Sequence, residues 1–403
     1  MTSPLFLRHI LANLAFWREQ MGELEDRAIA HLEEERHNLY KAIEAGLSFP
    51  ASQGVTIQLI FDLFEFIELR RHFHDWIVVL NRALQTNPPD LVKCRLLNHL
   101  GFVHALLGNL PEAMAFHHQA LALSQASDNR REEMNANFGQ GHVHFYRMEF
   151  DQAESFARLA LAQITTLGHA ANEKLDQMKY ASIYTLIGLA AHMRGDYATA
   201  ETYQQMGLEI RRAFPTQELV AKILMNLAIT YEQSQKMDQA LACLSEAKTI
   251  LKNKNNQLQY IDILQALGTL YFMLNRYKEA EATFTQVDTS LLRRTGNFVT
   301  LAHQANNLGN VYLKQNRLAL AKQSLSEAII YWRQLKEAIF LANTLGDLAE
   351  TLVRLNEPAE ALPMYMEALE LLSQYPQHAW ARGHRERMLL QAKKDFPHHD
   401  FLE

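Results

Sequence analysis

Small residues recur along this chain at a nearly fixed distance, and no other feature constrains the fold as strongly. Segments such as "NHLGFVHALLGNLPEAMAFHHQAL" (98–121), "QALGTLYFMLNRYKEAEATFTQVD" (265–288) and "NNLGNVYLKQNRLALAKQSLSEAI" (306–329) align on a small residue followed by a second one twelve positions on. The pairs are Gly101/Ala113, Gly141/Ala153, Gly188/Ala200, Ala228/Ala240, Gly268/Ala280, Gly309/Ala321 and Ala349/Ala361. The second members advance by 40, 47, 40, 40, 41 and 40 residues. Seven added residues are close to two helical turns, so the long step can lengthen a helix without rotating its apolar face.

Each recurring position has a mechanical reason. The two small residues let a pair of helices approach closely where they cross. Seven places after the first stands Gly108, Met148, Gly195, Gln235, Asn275, Asn316 or Asn356. Gly and Asn tolerate the left-handed conformation that ends a helix. Pro111, Asp151, Tyr197, Asp238, Tyr277 or Pro358 then marks the start of a second helix. Seven places beyond the second small residue, Ala120, Ala160, Gly207, Ala247, Val287, Ala328 or Ala368 suits contact with the next repeat. With only 16 Gly and 10 Pro in 403 residues, and with good helix formers throughout, the chain reads as all-α.

Adding Tyr231, Tyr271 and Tyr312, three places after the first small residue, the pattern resembles the tetratricopeptide repeat, whose usual unit is 34 residues. A unit near 40 is similar to the longer variant found in cell-polarity adaptors and bacterial signalling proteins. The departures are Ala228 and Ala349 for Gly, and His104 and His144 for Tyr. The resemblance implies a right-handed α-solenoid of stacked antiparallel helix pairs. It would comprise an N-terminal helical segment with a degenerate repeat (1–89), an array of about seven units (90–375), and a capping helix and tail (376–403).

Nearer the N-terminus, "HLEEERHNLYKAIEAGL" (31–47) and "LFEFIELRRHFHDWIVVLNRAL" (63–84, with Trp76 where a small residue is expected) resemble the sensor junction of bacterial STAND-type signalling ATPases. The matching residues are Leu32, Glu33, Glu35, Asn38, Leu39, Ala42 and Ile43, then Phe66, Glu68, Leu69, Arg70 and Trp76. The phosphate-binding signature GxxxxGK[ST] is absent. The expectation is a sensor region that stands alone or one cut from a longer protein.

Composition removes several function classes. A net charge of −6 argues against a nucleic-acid backbone binder. Two cysteines, Cys94 and Cys243, lie far apart outside any CxxC, as expected of structural thiols in a reducing compartment. The start lacks the basic region of a signal peptide, and no apolar run reaches the roughly 18 residues a membrane span needs. The expectation is a cytoplasmic protein that contacts neither membrane nor nucleic acid, with self-association left open.

No catalytic signature appears, and no cofactor is implied. The histidine pairs at 72/74, 117/118, 142/144 and 398/399 have the wrong helical spacing for a shared metal. Arg211, Arg212, Arg293 and Arg294 fall late in second helices, where cations suit the negative helix end. What remains is the inner wall formed by the first helices. With the first small residue counted as place eight, places two, five, nine and twelve face inward. These are His303, Asn306, Asn310 and Leu313, with Asn307 beside them, and in the next unit Asn343, Glu350 and Val353. Upstream they are Lys222, Met225, Ile229 and Glu232, and before those Phe102, His142, Phe145, Leu189 and His192.

Resemblance to the adaptor class implies that Asn306 and Asn310 clamp a peptide backbone; the other reading is that both satisfy nearby polar groups or water. The basic pattern that seats a chaperone C-terminal carboxylate, Lys and Asn repeated on successive units, is not reproduced. A non-catalytic scaffold for a protein or peptide segment is expected. The alternative is a ligand-sensing module of a STAND-type ATPase or transcription regulator.

Overall fold

The computed structural model describes residues 4–21, 26–167, 173–214, 216–252 and 256–401, and among these it contains twenty-two helices and no strand. The chain divides into two compact units, Met1–Asn256 and Gln257–Glu403. The first opens with α1 (Pro4–Met21), α2 (Asp26–Glu34), α3 (Arg36–Leu47), α4 (Pro50–Asp62), α5 (Phe64–Arg70) and α6 (Phe73–Gln85). Four antiparallel pairs follow: α7 (Asp90–Leu106) with α8 (Leu110–Ala126), α9 (Arg130–Tyr146) with α10 (Phe150–Leu167), α11 (Glu173–Met193) with α12 (Tyr197–Arg212), and α13 (Gln217–Gln233) with α14 (Met237–Leu251).

The second unit runs α15 (Gln257–Met273), α16 (Tyr277–Phe284), α17 (Thr289–Arg294), α18 (Phe298–Lys314), α19 (Leu318–Leu335), α20 (Ala338–Arg354), α21 (Pro358–Ser373) and α22 (Ala379–Asp395). Here α16 and α17 take the place of one long helix. The break falls at Val287, and the Asp288 side chain accepts from the Leu291 N–H to restart the chain as α17.

The small residues lie where the period places them. Ala113, Ala153, Ala200, Ala240, Ala280, Ala321 and Ala361 are all buried, and so are Ala120, Ala160, Ala247, Ala328 and Ala368. At Gly141 a Cβ would stand 3.2 Å from the Ala153 carbonyl oxygen, so the two backbones cross closely enough that even a methyl group would be tight. Gly108, Met148, Gly195, Gln235, Asn275, Asn316 and Asn356 all take the left-handed conformation, with φ between 59° and 82°. Position in the repeat therefore dictates that backbone even where the residue is Met or Gln. Of the seven-residue addition, part is one further turn on α11, which begins 15 residues before Gly188. By comparison, α9 begins 11 before Gly141 and α13 begins 11 before Ala228. The rest falls near 168–172, outside the described residues.

Neighbouring second helices are tied by ion pairs spaced 34 residues apart. Arg212 pairs with Glu246 at 2.7 Å in the first unit; in the second, Arg293 pairs with Glu327 at 3.1 Å and Arg333 with Glu367 at 2.7 Å. These arginines thus bridge repeats as well as sitting near helix ends. Being exposed, each such pair contributes between zero and about 1 kcal/mol.

In the N-terminal helices Trp76 is wholly buried, and its neighbours in the core include Leu39, Ile43 and Phe66. At the other end α22 buries Ala381, Met388 and Ala392 against α20 and α21, and Tyr365 donates to Asp395 at 2.9 Å. No helix of the described residues is long and apolar enough to cross a membrane.

Candidate functional site

Within each unit successive first helices pack on one another, so their shared face forms an inner wall whose side chains bond from repeat to repeat. In the second unit that wall is an amide network. Asn306 Oδ1 accepts from the Thr344 hydroxyl at 2.9 Å, Asn310 Nδ2 donates to Asp347 Oδ2 at 3.0 Å, and Asn343 Nδ2 donates to the same oxygen at 3.3 Å. Asn307 points the other way, donating to Gln265 at 3.2 Å. The Asn306 amide nitrogen and the Asn310 carbonyl oxygen, one turn apart, keep no partner among the described residues. His303 stands apart from this network, edge-on to Trp332 and Phe340 at 4.8 and 5.1 Å between ring centres.

Asp347 is the centre of the network, although it occupies place six, outside the inward stripe expected from sequence. Part of its surface stays open to solvent. Burial pushes its carboxyl up to about 7; nearby Glu350 adds to the shift, and the Asn310 hydrogen bond opposes it. Leu313 and Val353, at place twelve, are core residues or nearly so.

The inner wall of the first unit is aromatic and cationic. Phe102 and Phe138 meet His142 at 5.3 and 4.7 Å, and burial holds His142 neutral, pushed down to about 3. Phe145 packs against Tyr146 and Phe150. His192 Nδ1 lies 3.1 Å from the Thr230 hydroxyl, and Glu232 is half-buried with its carboxyl raised by desolvation. These groups form no single cluster with Lys222, because Lys222 is engaged by the chain itself: its ammonium donates to Glu68 of α5 at 3.4 Å.

That contact belongs to a clasp that sequence spacing gave no reason to expect. Arg70 of α5 donates twice to Glu218 of α13, and Arg211 of α12 lies 3.7 Å from Glu65 of α5. Of the same wall, Arg95 stands at place two, inside the expected stripe, whereas His99 at place six and Lys179 at place −1 lie outside it. Phe61 and Phe64 cover His99 at 5.3 and 4.1 Å between ring centres. A wider inward stripe, including places six and thirteen, would have found His99, Asp347 and Tyr146.

The other candidate groups serve packing. His117 is buried beside Gly101 and Gly139, its imidazole pushed down to about 3 by desolvation. His144 stacks on Phe156 and bonds Glu149. Cys94 is buried but Cys243 only half-buried, and desolvation raises both thiols to about 11. Among the described residues no group of three or more His, Cys, Asp or Glu side chains is placed to hold a metal ion.

Family models described as tetratricopeptide repeat match residues 94–127, 219–287 and 301–374. No curated protein matches the chain. Solved structures do resemble it. A STAND-class signal-transduction ATPase with a tetratricopeptide repeat sensor from Pyrococcus horikoshii is 17% identical, over 82% of this chain and 53% of that one, with a TM-score of 0.56. The apo quorum sensor NprR from B. thuringiensis is 12% identical over 83% of this chain and 97% of that one, at 0.54. Aspartyl phosphate phosphatase F from Bacillus subtilis is 12% identical over 90% and 93%, at 0.52. At these identities the likeness is one of fold.

Proposed function

The chain is a tetratricopeptide-repeat protein, and from that premise we propose that it is a non-catalytic scaffold that captures a peptide or protein segment along the inner walls of its repeats. The observation that supports this most is the amide pair of α18. Asn306 keeps a donor and Asn310 an acceptor with no partner among the described residues. A peptide backbone offers one acceptor and one donor per residue, so the two amides match it. Their remaining atoms are fixed by Thr344 and Asp347, which holds the pair in place before any ligand arrives. The two readings of these asparagines are thus joined, since each satisfies a neighbour with one end of its amide. Asn307, Asn343, His303 and Glu350 flank the pair on the same wall, while Lys222, Glu232, His142, Phe145 and His192 belong to the wall of the first unit.

Similarity to the quorum sensor NprR agrees with such a role. The alternative, a ligand-sensing module of a STAND-type ATPase, rests on junction residues that here do packing work: Leu32, Leu39, Ile43, Phe66 and Trp76 are core. The same scaffold would serve either setting within the cell.

Selecting a displayed random-peptide library on the purified full chain tests the proposal. Selected peptides should bind, and Asn306→Ala with Asn310→Ala should weaken them about tenfold while helix content is unchanged. Equal binding by the double variant would remove the asparagine pair from the site. Failure to select any peptide would remove the scaffold reading.

A further inference from the structure

In the first unit many cations on and around the first helices are already paired. Arg70 pairs with Glu218, Lys222 with Glu68, Arg131 with Asp176, and Arg194 with Asp151 and Glu154. Lys179 of α11 and Arg95 of α7 are different: neither has an ion-pair partner among the described residues. The Lys179 ammonium stands 4.9 Å from the centre of the Phe138 ring, and the Arg95 guanidinium 4.0 Å from that of Phe61. The one acid that acts on both is Glu132, which is buried and takes a hydrogen bond from Asn98 at 2.9 Å; Glu68 also acts on Lys179 and Asp62 on Arg95, but those two carboxylates are held by Lys222 and Arg18. One carboxylate free of other ion pairs against two half-buried cations leaves one positive charge uncompensated, and a second anion would be favoured there. The neighbouring histidines add no charge, because His99 and His142 are held neutral by burial.

We propose that Lys179 and Arg95 form an anion subsite on this aromatic wall, seating the carboxylate of an acidic residue that lies close to an aromatic residue in a bound peptide. The inference rests on the scaffold reading above and deepens it. The chain displays a partial likeness of such a ligand. On α5, Phe64 and Glu68 are one turn apart; the ring packs on His99 and Phe102 at 4.1 and 5.4 Å, and the carboxylate is held by Lys222. An aromatic ring beside an acid is therefore a combination that this wall already accommodates. Lys179 stands at place −1 of its repeat, where the preceding helix has Glu132 and the following one Leu219. The lysine is thus particular to one repeat and has no counterpart at that place in the helices on either side.

The test is selection of displayed random dodecapeptides on the full chain and on its Lys179→Met variant, with sequencing of both pools. The unmodified chain should enrich Asp or Glu near Phe, Tyr or Trp, and the variant should still select peptides but lose the acidic enrichment. A selected acidic peptide should bind Lys179→Met about tenfold more weakly. Lys179→Arg should restore binding, and changing the peptide's Glu to Gln should cost the same on the unmodified chain and nothing further on Lys179→Met. Peptides selected without acidic preference, or equal binding to Lys179→Met, would overturn the subsite and leave the scaffold reading intact. A chain that selects no peptide would overturn both.

Discussion

The guanidinium of Arg70 donates two hydrogen bonds, at 2.9 and 3.0 Å, to the carboxylate of Glu218, a residue 148 positions further along the chain. Both side chains are almost wholly out of water, at 9% and 1% exposure, and Asn256 adds a third donor to the carboxylate at 3.0 Å. Repeat arrays are usually held by neighbours alone, so this pair makes α5 and α13 depend on each other.

Removing one partner should therefore be costly. Glu218→Ala leaves a buried guanidinium without its counterion and should destabilise the chain by about 3–5 kcal/mol, whereas Arg70→Met combined with Glu218→Leu should recover most of that loss. Glu246→Ala, which breaks an exposed pair with Arg212, should cost less than about 1 kcal/mol. Thermal melts of the four proteins decide it; equal effects of Glu218→Ala and Glu246→Ala would refute the clasp.

The left-handed turns carry strain where the residue has a Cβ. Met148 (φ 63°) and Gln235 (φ 61°) sit where other repeats have Gly or Asn. A non-glycine residue costs about 1–2 kcal/mol in this conformation. The added freedom of Gly in the unfolded chain offsets part of that. Met148→Gly and Gln235→Gly should each raise the melting temperature by a degree or more, and Gly195→Ala should lower it. A drop for both glycine variants would contradict the account.

Ala280 is fully buried at its helix crossing, whereas Ala282, two residues on, faces solvent. Ala280→Trp should cost about 3 kcal/mol or more through overpacking, and Ala282→Trp should be close to neutral. Matching melting curves for these two variants would mean that the repeat register is wrong.

Asp347 makes stability depend on pH with a defined sign. The folded chain holds the proton up to about pH 7, whereas the unfolded chain releases it near pH 4. Ionising the group in the fold thus costs free energy that grows from about pH 4 to about 7 and is constant above. Asp347→Asn should match the unmodified chain at pH 4 and be more stable at pH 8, by about 1–2 kcal/mol given the group's partial contact with water. Denaturant midpoints at the two pH values measure this, and no gain at pH 8 would rule it out.

The repeat itself was legible because every unit writes the same steric problem. A small side chain at the crossing and a residue able to turn left-handed are demanded by local geometry, and Ala113 through Ala361 and Gly108 through Asn356 meet that demand. Periodicity also led to Asn306, Asn310 and Asn343, but it drew the inward stripe too narrowly. A helix face spans both three- and four-residue steps, so Asp347 and His99 at place six share the wall with places two and nine. The clasp was illegible for a different reason. Arg70 lies outside the periodic region, and nothing in the spacing of Glu65, Glu68, Arg211 or Glu218 reveals which charge will answer which. Lys179 is illegible likewise, since a missing counterion shows only once the neighbours are placed.

Synthesis is directional, and the Arg70–Glu218 pair inherits an order from it. At about 5–20 residues per second, Arg70 is added to the chain roughly 7 to 30 s before its acceptor. During that interval the guanidinium remains hydrated, and α7 to α12 can assemble by local contacts without it. Closing the clasp is thus a late event in the birth of the first unit, and a nascent chain halted before Glu218 would display α5 still unfastened.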